Sequence, residues 1–356
     1  MPVQFYHLIS FVVAAAVVLA VTPVVKHLGL RSGKVDQPNH RKMHKQPMVR
    51  LGGVSIFIGV LVALVAIWLT GGFGLLPPAK EYEIWGVTLG GLLFFLIGLA
   101  DDLYDLSPFT RLFLQVVVAS MAWQAGVQID FLTVPLADVG LVTLPAWLSL
   151  PITTLWLVGM ANAINWIDGL DGLAAGVSGI AAVIMLIVCL FMDQPAAAII
   201  AAALAGGALG FLRYNFNPAQ IFMGDGGAYF MGFTLAGVGV VGLVKSVTTV
   251  AVLLPFLILA VPILDMSAVI FQRLRSGSSP FIADNRHLHH RLLETGLSHR
   301  ATVLVIYCLT LWVGSLAMAF SGIPSGYAYA TGATLLLSYA GWQVNRASRQ
   351  AKSEID

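Results

Sequence analysis

Four polar motifs interrupt an otherwise apolar chain, and each carries residue types suited to handling phosphate or a divalent cation. In DDLYD, Asp101 and Asp105 are four residues apart and share a face if the segment is helical, with Asp102 turned about 100° away. Adjacent carboxylates repel, which implies a cation nearby. Mg2+ is the natural choice, because it takes oxygen ligands and bridges carboxylates to substrate phosphates. Acids at a helix C-terminus also oppose the helix dipole, so a purely structural role is the weaker reading. In NAINWIDGLDGL, Asn162, Asn165 and Asp168 follow at steps of three on one side of a helix end. Gly169 and Gly172 then break the helix around Asp171 and expose backbone amides.

The third motif, RYNFNPAQIFMGDGGA, brings Asn215, Asn217 and Phe222 close to Asp225 just before a new apolar run. A helix starting at GDGG would offer free N–H groups and positive potential to a phosphate, while Asp225 could hold the neutralising metal. The fourth, NRHLHHRLLETGLSHR, gathers Arg286, His287, His289, His290 and Arg291. No cysteine accompanies these histidines, so anion binding explains them better than zinc. An earlier basic segment, VDQPNHRKMHKQPMVRLGG, adds Asp36, Asn39, Arg41, Lys42 and His44 ahead of Gly52 and Gly53, although anchoring in the cytoplasm accounts for its charge.

The elements that must position these motifs are membrane-spanning helices. Hydrophobic residues make up 58% of the chain and charged residues 10%, with a mean hydropathy of +0.87, far from a soluble domain. Apolar runs near the length needed to cross a bilayer number about eleven. They cover 5–25, 51–70, 84–100, 108–124, 146–164, 173–192, 196–212, 227–244, 250–272, 301–320 and 326–344. The first lacks a basic segment before it and a small-residue cleavage site after it, so it reads as a retained helix rather than a signal peptide. The expectation is an all-α polytopic membrane protein forming one domain over residues 1–356. Its N-terminus lies outside and its C-terminus in the cytoplasm. A small extracytoplasmic β-hairpin is expected at 126–145, where apolar and polar residues alternate.

With this orientation all of the nineteen Lys and Arg residues except Lys80 and Lys245 fall inside. The polar motifs fall in cytoplasmic loops 26–50, 101–108, 162–172, 213–226 and 273–300. The net charge of +2 therefore hides a molecule basic on one face. Its scattered basic residues offer no groove for nucleic acid, and Cys189 and Cys308, both inside apolar runs, give no disulfide framework. Gly206, Gly207 and Gly210, like Gly232, Gly237 and Gly239, suit close helix packing. Asp265, deep in an apolar run after Pro262, requires a partner.

Together DDLYD, NAINWIDGLDGL, NFNPAQIFMGDGG and HLHH, in this order, resemble the polyprenyl-phosphate N-acetylhexosamine-1-phosphate transferase family. The HLHHRLLETGLSHR segment is similar to its WecA/TagO branch, which uses UDP-GlcNAc, rather than to the MraY branch of peptidoglycan synthesis. The resemblance implies transfer of N-acetylglucosamine 1-phosphate from UDP-GlcNAc to undecaprenyl phosphate, with release of UMP. The product would prime a cell-surface polymer such as O-antigen, teichoic acid or capsule. It implies Mg2+ as cofactor with Mn2+ able to substitute, a bacterial cytoplasmic membrane location, an active site facing the cytoplasm, and it leaves a homodimer open.

By the same resemblance Asp225 binds the metal with Asn165 and Asp102, and Asp101 orients or deprotonates the lipid phosphate. Arg111 stands where the family often has Lys, Phe222 stacks on uracil, and Asn215 and Asp171 bond the nucleoside. Asp168 and the histidines join the catalytic group, His287, His289, His290 and Arg286 closing over diphosphate and sugar. Asn162, Lys42 and His44 complete the substrate contacts. An intramembrane prenyltransferase would share the aspartates and Mg2+ but leaves FMGDGG and HLHH unexplained. A transporter would place its polar residues near the bilayer midplane.

Overall fold

The apolar runs become helices at the expected places, with glycine, proline and small polar residues at their boundaries. The computed structural model describes residues 3–33, 35–36, 47–133, 141–244, 253–277 and 286–353. Helix α1 (Val3–Ser32) leads through a basic segment to α2 (Gly52–Leu69). Helices α3 (Pro78–Tyr104) and α4 (Pro108–Gln124) each open on proline, whose missing N–H has no intrahelical partner to lose at that position. Ser107 caps α4 by accepting from the Thr110 N–H at 3.1 Å. Strands β1 (Phe131–Thr133) and β2 (Leu141–Thr143) pair antiparallel, the hairpin anticipated from the alternation, and its tip at 134–140 lies outside the described residues.

Five helices follow: α5 (Ala146–Ile167), α6 (Leu173–Phe191), α7 (Pro195–Asn215), α8 (Gly224–Val238), which continues into a π-helical turn over Gly239–Val244, and α9 (Leu253–Ile258). The last four are α10 (Ala260–Arg275), α11 (Leu288–Glu294), α12 (His299–Phe320) and α13 (Gly326–Ser353). Among the described residues, eight helices are long and apolar enough to cross a membrane. The other three expected spans are helical but fall short of that standard. One is the short α4, one is α13, whose C-terminal turns are polar, and one is the expected span 250–272. That last span is interrupted at Leu259, between α9 and α10, and its first residues lie outside the described ones. Pro262 supplies a physical reason, since it has no N–H to offer the carbonyl one turn back.

At the centre stands α8, in which every residue but Asp225 is buried. Helices α2, α3, α5, α6 and α7 pack around it. Small residues let backbones meet: a methyl group on Gly210 would lie 2.9 Å from the Ala15 carbonyl of α1. The outer surface presents large apolar side chains such as Leu155 and Phe109, 74% and 71% exposed, as expected where lipid is the solvent.

Candidate active site

The site forms where α8 begins. The chain reaches Asp225 through Gly224, whose φ of +76° is easily held only by glycine, and a methyl group there would collide with the Arg50 carbonyl and the Asp102 carboxylate. On one side the segment before α2 runs along this turn. Phe222 N–H donates to the Val49 carbonyl at 2.9 Å, Gly52 N–H to Phe222 O at 2.9 Å, and Gly53 N–H to Met223 O at 2.7 Å. On the other side Gly98 of α3 lets that helix touch the Asp225–Gly226 backbone. Close approach on both flanks brings the ends of α2, α3 and α8 to one level.

Charged side chains from four elements meet there. Arg111 of α4 pairs with Asp101 and lies 3.6 Å from Asp225 Oδ2. Arg50 lies 3.7 Å from Asp225 Oδ1 and 3.9 Å from Asp102 Oδ1. Asn165 of α5 donates Nδ2–H to Asp225 Oδ1 at 2.9 Å. Asp102 Oδ2 accepts the Gly226 N–H at 3.0 Å, so one of the free amides at the start of α8 holds a carboxylate of the protein itself. Asp101 Oδ1 accepts the Leu106 N–H at 2.9 Å and so fixes the turn between α3 and α4. Asp168, just past α5, is pushed up to about 7 by burial and then by the nearby carboxylate of Asp225, with Asp102 and Asp171 adding to it and Arg50 opposing.

Asp105, expected on one face with Asp101, is instead exposed: α3 ends at Tyr104 and Asp105 turns away in the left-handed region, φ 51°. Lys42 and His44 lie outside the described residues. Asn162 donates to Gln115 Oε1 at 2.7 Å and joins α5 to α4. Asn215 is buried with both ends of its amide engaged, accepting from Gly172 N–H at 3.1 Å and donating to Ile221 O at 3.0 Å. Asp171 Oδ2 accepts from Asn217 Nδ2 and from Ala219 N–H, each at 3.0 Å. These bonds tie the second motif to the third. Phe222 stays half-buried beside Val49.

The histidine segment docks on the second motif, with His289 against Gly169. His287 stacks on His289 at 5.6 Å and meets the edge of Trp166 at 6.0 Å, and His290 lies 4.3 Å from His289. Burial, followed by the neighbouring His290 and His287, pushes His289 down to about 3, so it is neutral at ordinary pH. Arg286 is exposed at the start of the segment. Sequence reasoning missed Arg50 as a site residue. Its only signal is its place directly before the Leu-Gly-Gly that opens α2.

Among the described residues, two guanidinium groups lie against the three carboxylates of Asp101, Asp102 and Asp225, with Asp168 close by. Among the described residues, Asp102 Oδ1 is buried without a hydrogen-bond partner. An all-oxygen donor set of Asp225, Asp102 and the Asn165 amide fits a hard cation. Among the described residues no three His, Cys, Asp or Glu side chains form a closed metal cage.

Apolar helices that enclose such a charged site at one end define a polytopic membrane enzyme, and comparison with known proteins gives its kind. Glycosyl transferase family 4 matches residues 84–243. A probable undecaprenyl-phosphate N-acetylglucosaminyl 1-phosphate transferase of Bacillus subtilis is 38% identical over 305 residues, 85% of this chain and 81% of its own. A decaprenyl-phosphate N-acetylglucosaminephosphotransferase of Mycolicibacterium smegmatis is 36% identical over 331 residues, 85% and 79% of the two chains. An undecaprenyl-phosphate alpha-N-acetylglucosaminyl 1-phosphate transferase of Yersinia pestis is 28% identical over 337 residues, 92% and 89%. The chain belongs to the polyprenyl-phosphate N-acetylhexosamine-1-phosphate transferases of glycosyl transferase family 4.

Proposed function

We propose that the protein transfers N-acetylglucosamine 1-phosphate from UDP-GlcNAc to undecaprenyl phosphate, releasing UMP, as the priming step of a cell-surface polysaccharide of O-antigen, teichoic acid or capsule type. The observation that carries this reading is the meeting of Asp225, Asn165, Asp102, Arg50 and Arg111 at the start of α8. The names of the relatives give a polyprenyl-phosphate acceptor and a transferred N-acetylglucosaminyl 1-phosphate group, for which a UDP-sugar is the fitting donor.

Asp225, Asp102 and Asn165 would hold Mg2+ or Mn2+. Bound there, the ion would offset charge on the diphosphate. An oxygen of the lipid phosphate attacks the β-phosphorus in line, the bond from that phosphorus to the bridging oxygen breaks, and the electron pair leaves on UMP. Arg50 and Arg111 face the site from opposite elements and stabilise this redistributed charge, their planar forks matching phosphate oxygens. A phosphate with a second pKa near ~6 is mostly dianionic at neutral pH, so Asp101, held by Arg111 and Leu106 N–H, serves mainly to orient. The histidine segment with Arg286 covers the sugar and diphosphate. We place the active site on the cytoplasmic face of a bacterial inner membrane with eleven spans and the N-terminus outside, on the strength of the Lys and Arg asymmetry.

The test is UMP release by purified protein in detergent with UDP-GlcNAc, undecaprenyl phosphate and Mg2+, omitting each component in turn. Release that needs all three, stops with EDTA and returns with Mg2+ supports the reading. Release with another UDP-sugar alone would move the donor. A clear preference for decaprenyl phosphate would move the acceptor. Silence with every UDP-sugar in folded protein would refute it.

A further inference from the structure

The proposed reaction leaves one buried carboxylate unused. Asp265 lies on the inward face of α10 with Val269 and Arg273, all three buried at one-turn spacing. It does not join the cluster around Asp225. Its Oδ2 lies 2.8 Å from His287 Nδ1, and its Oδ1 accepts the Leu288 N–H at 2.7 Å. One carboxylate thus grips both the ring of His287 and the first backbone amide of α11, the helix that carries His289 and His290. Two turns further along α10, the Arg273 guanidinium lies over the Trp166 ring, 5.1 Å from its centre, and Trp166 in turn meets the edge of His287. Trp166 directly follows Asn165, which bonds Asp225. Helix α10 therefore clamps the histidine segment to the second motif from two points.

From this geometry we infer that Asp265 is the positioning residue for His287. It holds the imidazole with its proton on Nδ1 and leaves Nε2 to face the phosphates or sugar. This inference rests on the proposed transferase activity for the part His287 plays, but not for the pairing itself. A carboxylate that merely satisfied a helix end would need only the Leu288 amide. The second oxygen on the ring fixes both tautomer and rotation, as carboxylates do for metal-bound histidines, where their removal costs about 10- to 100-fold. Among the described residues the charged or titratable groups in contact with His287 are Asp265 from α10 and His289 from α11, with Arg273 behind Trp166 and His290 behind His289.

The experiment compares wild type, Asp265→Asn, Asp265→Glu, His287→Asn and the double variant Asp265→Asn/His287→Asn by kcat, KM and pH profile of UMP release, with melting temperature in detergent measured on each. Asp265→Asn is expected to lower kcat about 10- to 100-fold, to leave the KM for the lipid phosphate unchanged and to displace a limb of the pH profile. Asp265→Glu should restore part of the rate. In the His287→Asn background the second substitution should change kcat less than about twofold, as for residues that act through one another. Losses that multiply in the double variant, with an unmoved pH profile and a lowered melting temperature, would reduce Asp265 to a structural residue and overturn the inference. Nitrogen NMR of 15N-histidine protein at pH 8.5 reads the pairing without turnover, with the His287 signal identified by its loss in His287→Asn. An Nδ1-protonated ring in wild type that shifts toward Nε2 protonation in Asp265→Asn is expected. The same tautomer in both proteins would overturn the inference, whatever the activity. If no UDP-sugar yields UMP yet the tautomer shift is present, the transferase reading falls and the positioning contact stands.

Discussion

Arg50 reaches Asp102 and Asp225 from a segment whose charge alone would be explained by membrane topology. Among the described residues, its removal takes away one of two guanidinium groups that lie against Asp101, Asp102 and Asp225. Arg50→Ala is therefore expected to cut kcat/KM for UMP release at least tenfold, about 1.4 kcal/mol in transition-state terms, while Arg50→Lys recovers only part because a point charge replaces a planar fork. Kinetics on the three proteins checks this. His289 makes a prediction of a different kind. Folded, it stays neutral down to about 3, whereas the unfolded chain binds a proton near ~6.5. Between those values the unfolded state holds more protons, so stability falls as pH drops from 6.5 toward 3. His289→Gln should flatten that slope, read as melting temperature against pH in detergent. The aspartates, the paired asparagines and the histidines could all be read from spacing as polar residues stranded in an apolar chain. The bonds from Asn215 to Gly172, from Asp171 to Asn217 and Ala219, and from Asp265 to His287 and Leu288 could not, because each joins two different motifs or helices.

Among the elements, the helix starts and ends near the site were legible because glycine, proline and small capping residues mark them. The break between α9 and α10 was harder to see, since an apolar run scores as one span whether or not Pro262 leaves a carbonyl unpaired. The start of α8 depends on backbone shape more than on side chains. Gly224→Ala would need a methyl group at φ +76° against Arg50 and Asp102, and it should abolish most UMP release, roughly a 100-fold loss or about 2.7 kcal/mol. Gly332→Ala makes the control. It lies inside α13 with nothing within 4 Å of the added methyl, so activity should hold while stability gains about 0.5–1 kcal/mol. Activity and thermal unfolding measured side by side separate the two.

For the whole molecule, the basic residues give an orientation that can be checked directly. In a variant freed of Cys189 and Cys308, Ser107→Cys between α3 and α4 should react with an impermeant maleimide only when the cytoplasmic face is open. Gly74→Cys between α2 and α3 should react from the outside. Reversed labelling would invert the topology. The hydropathy pattern made the helical architecture plain, but it could not reveal which helix sits at the centre, because α8 is no more apolar than its neighbours. The pairing of residues 49–53 with 222–227 also sets a timetable for biosynthesis. Ribosomes deliver α2 first, and five further helices must enter the bilayer before α8 arrives to meet it. Until then Arg50 waits without Asp225 and Asp102 without the Gly226 amide, so the nascent chain is inert toward its substrates until most of the protein is already in the membrane.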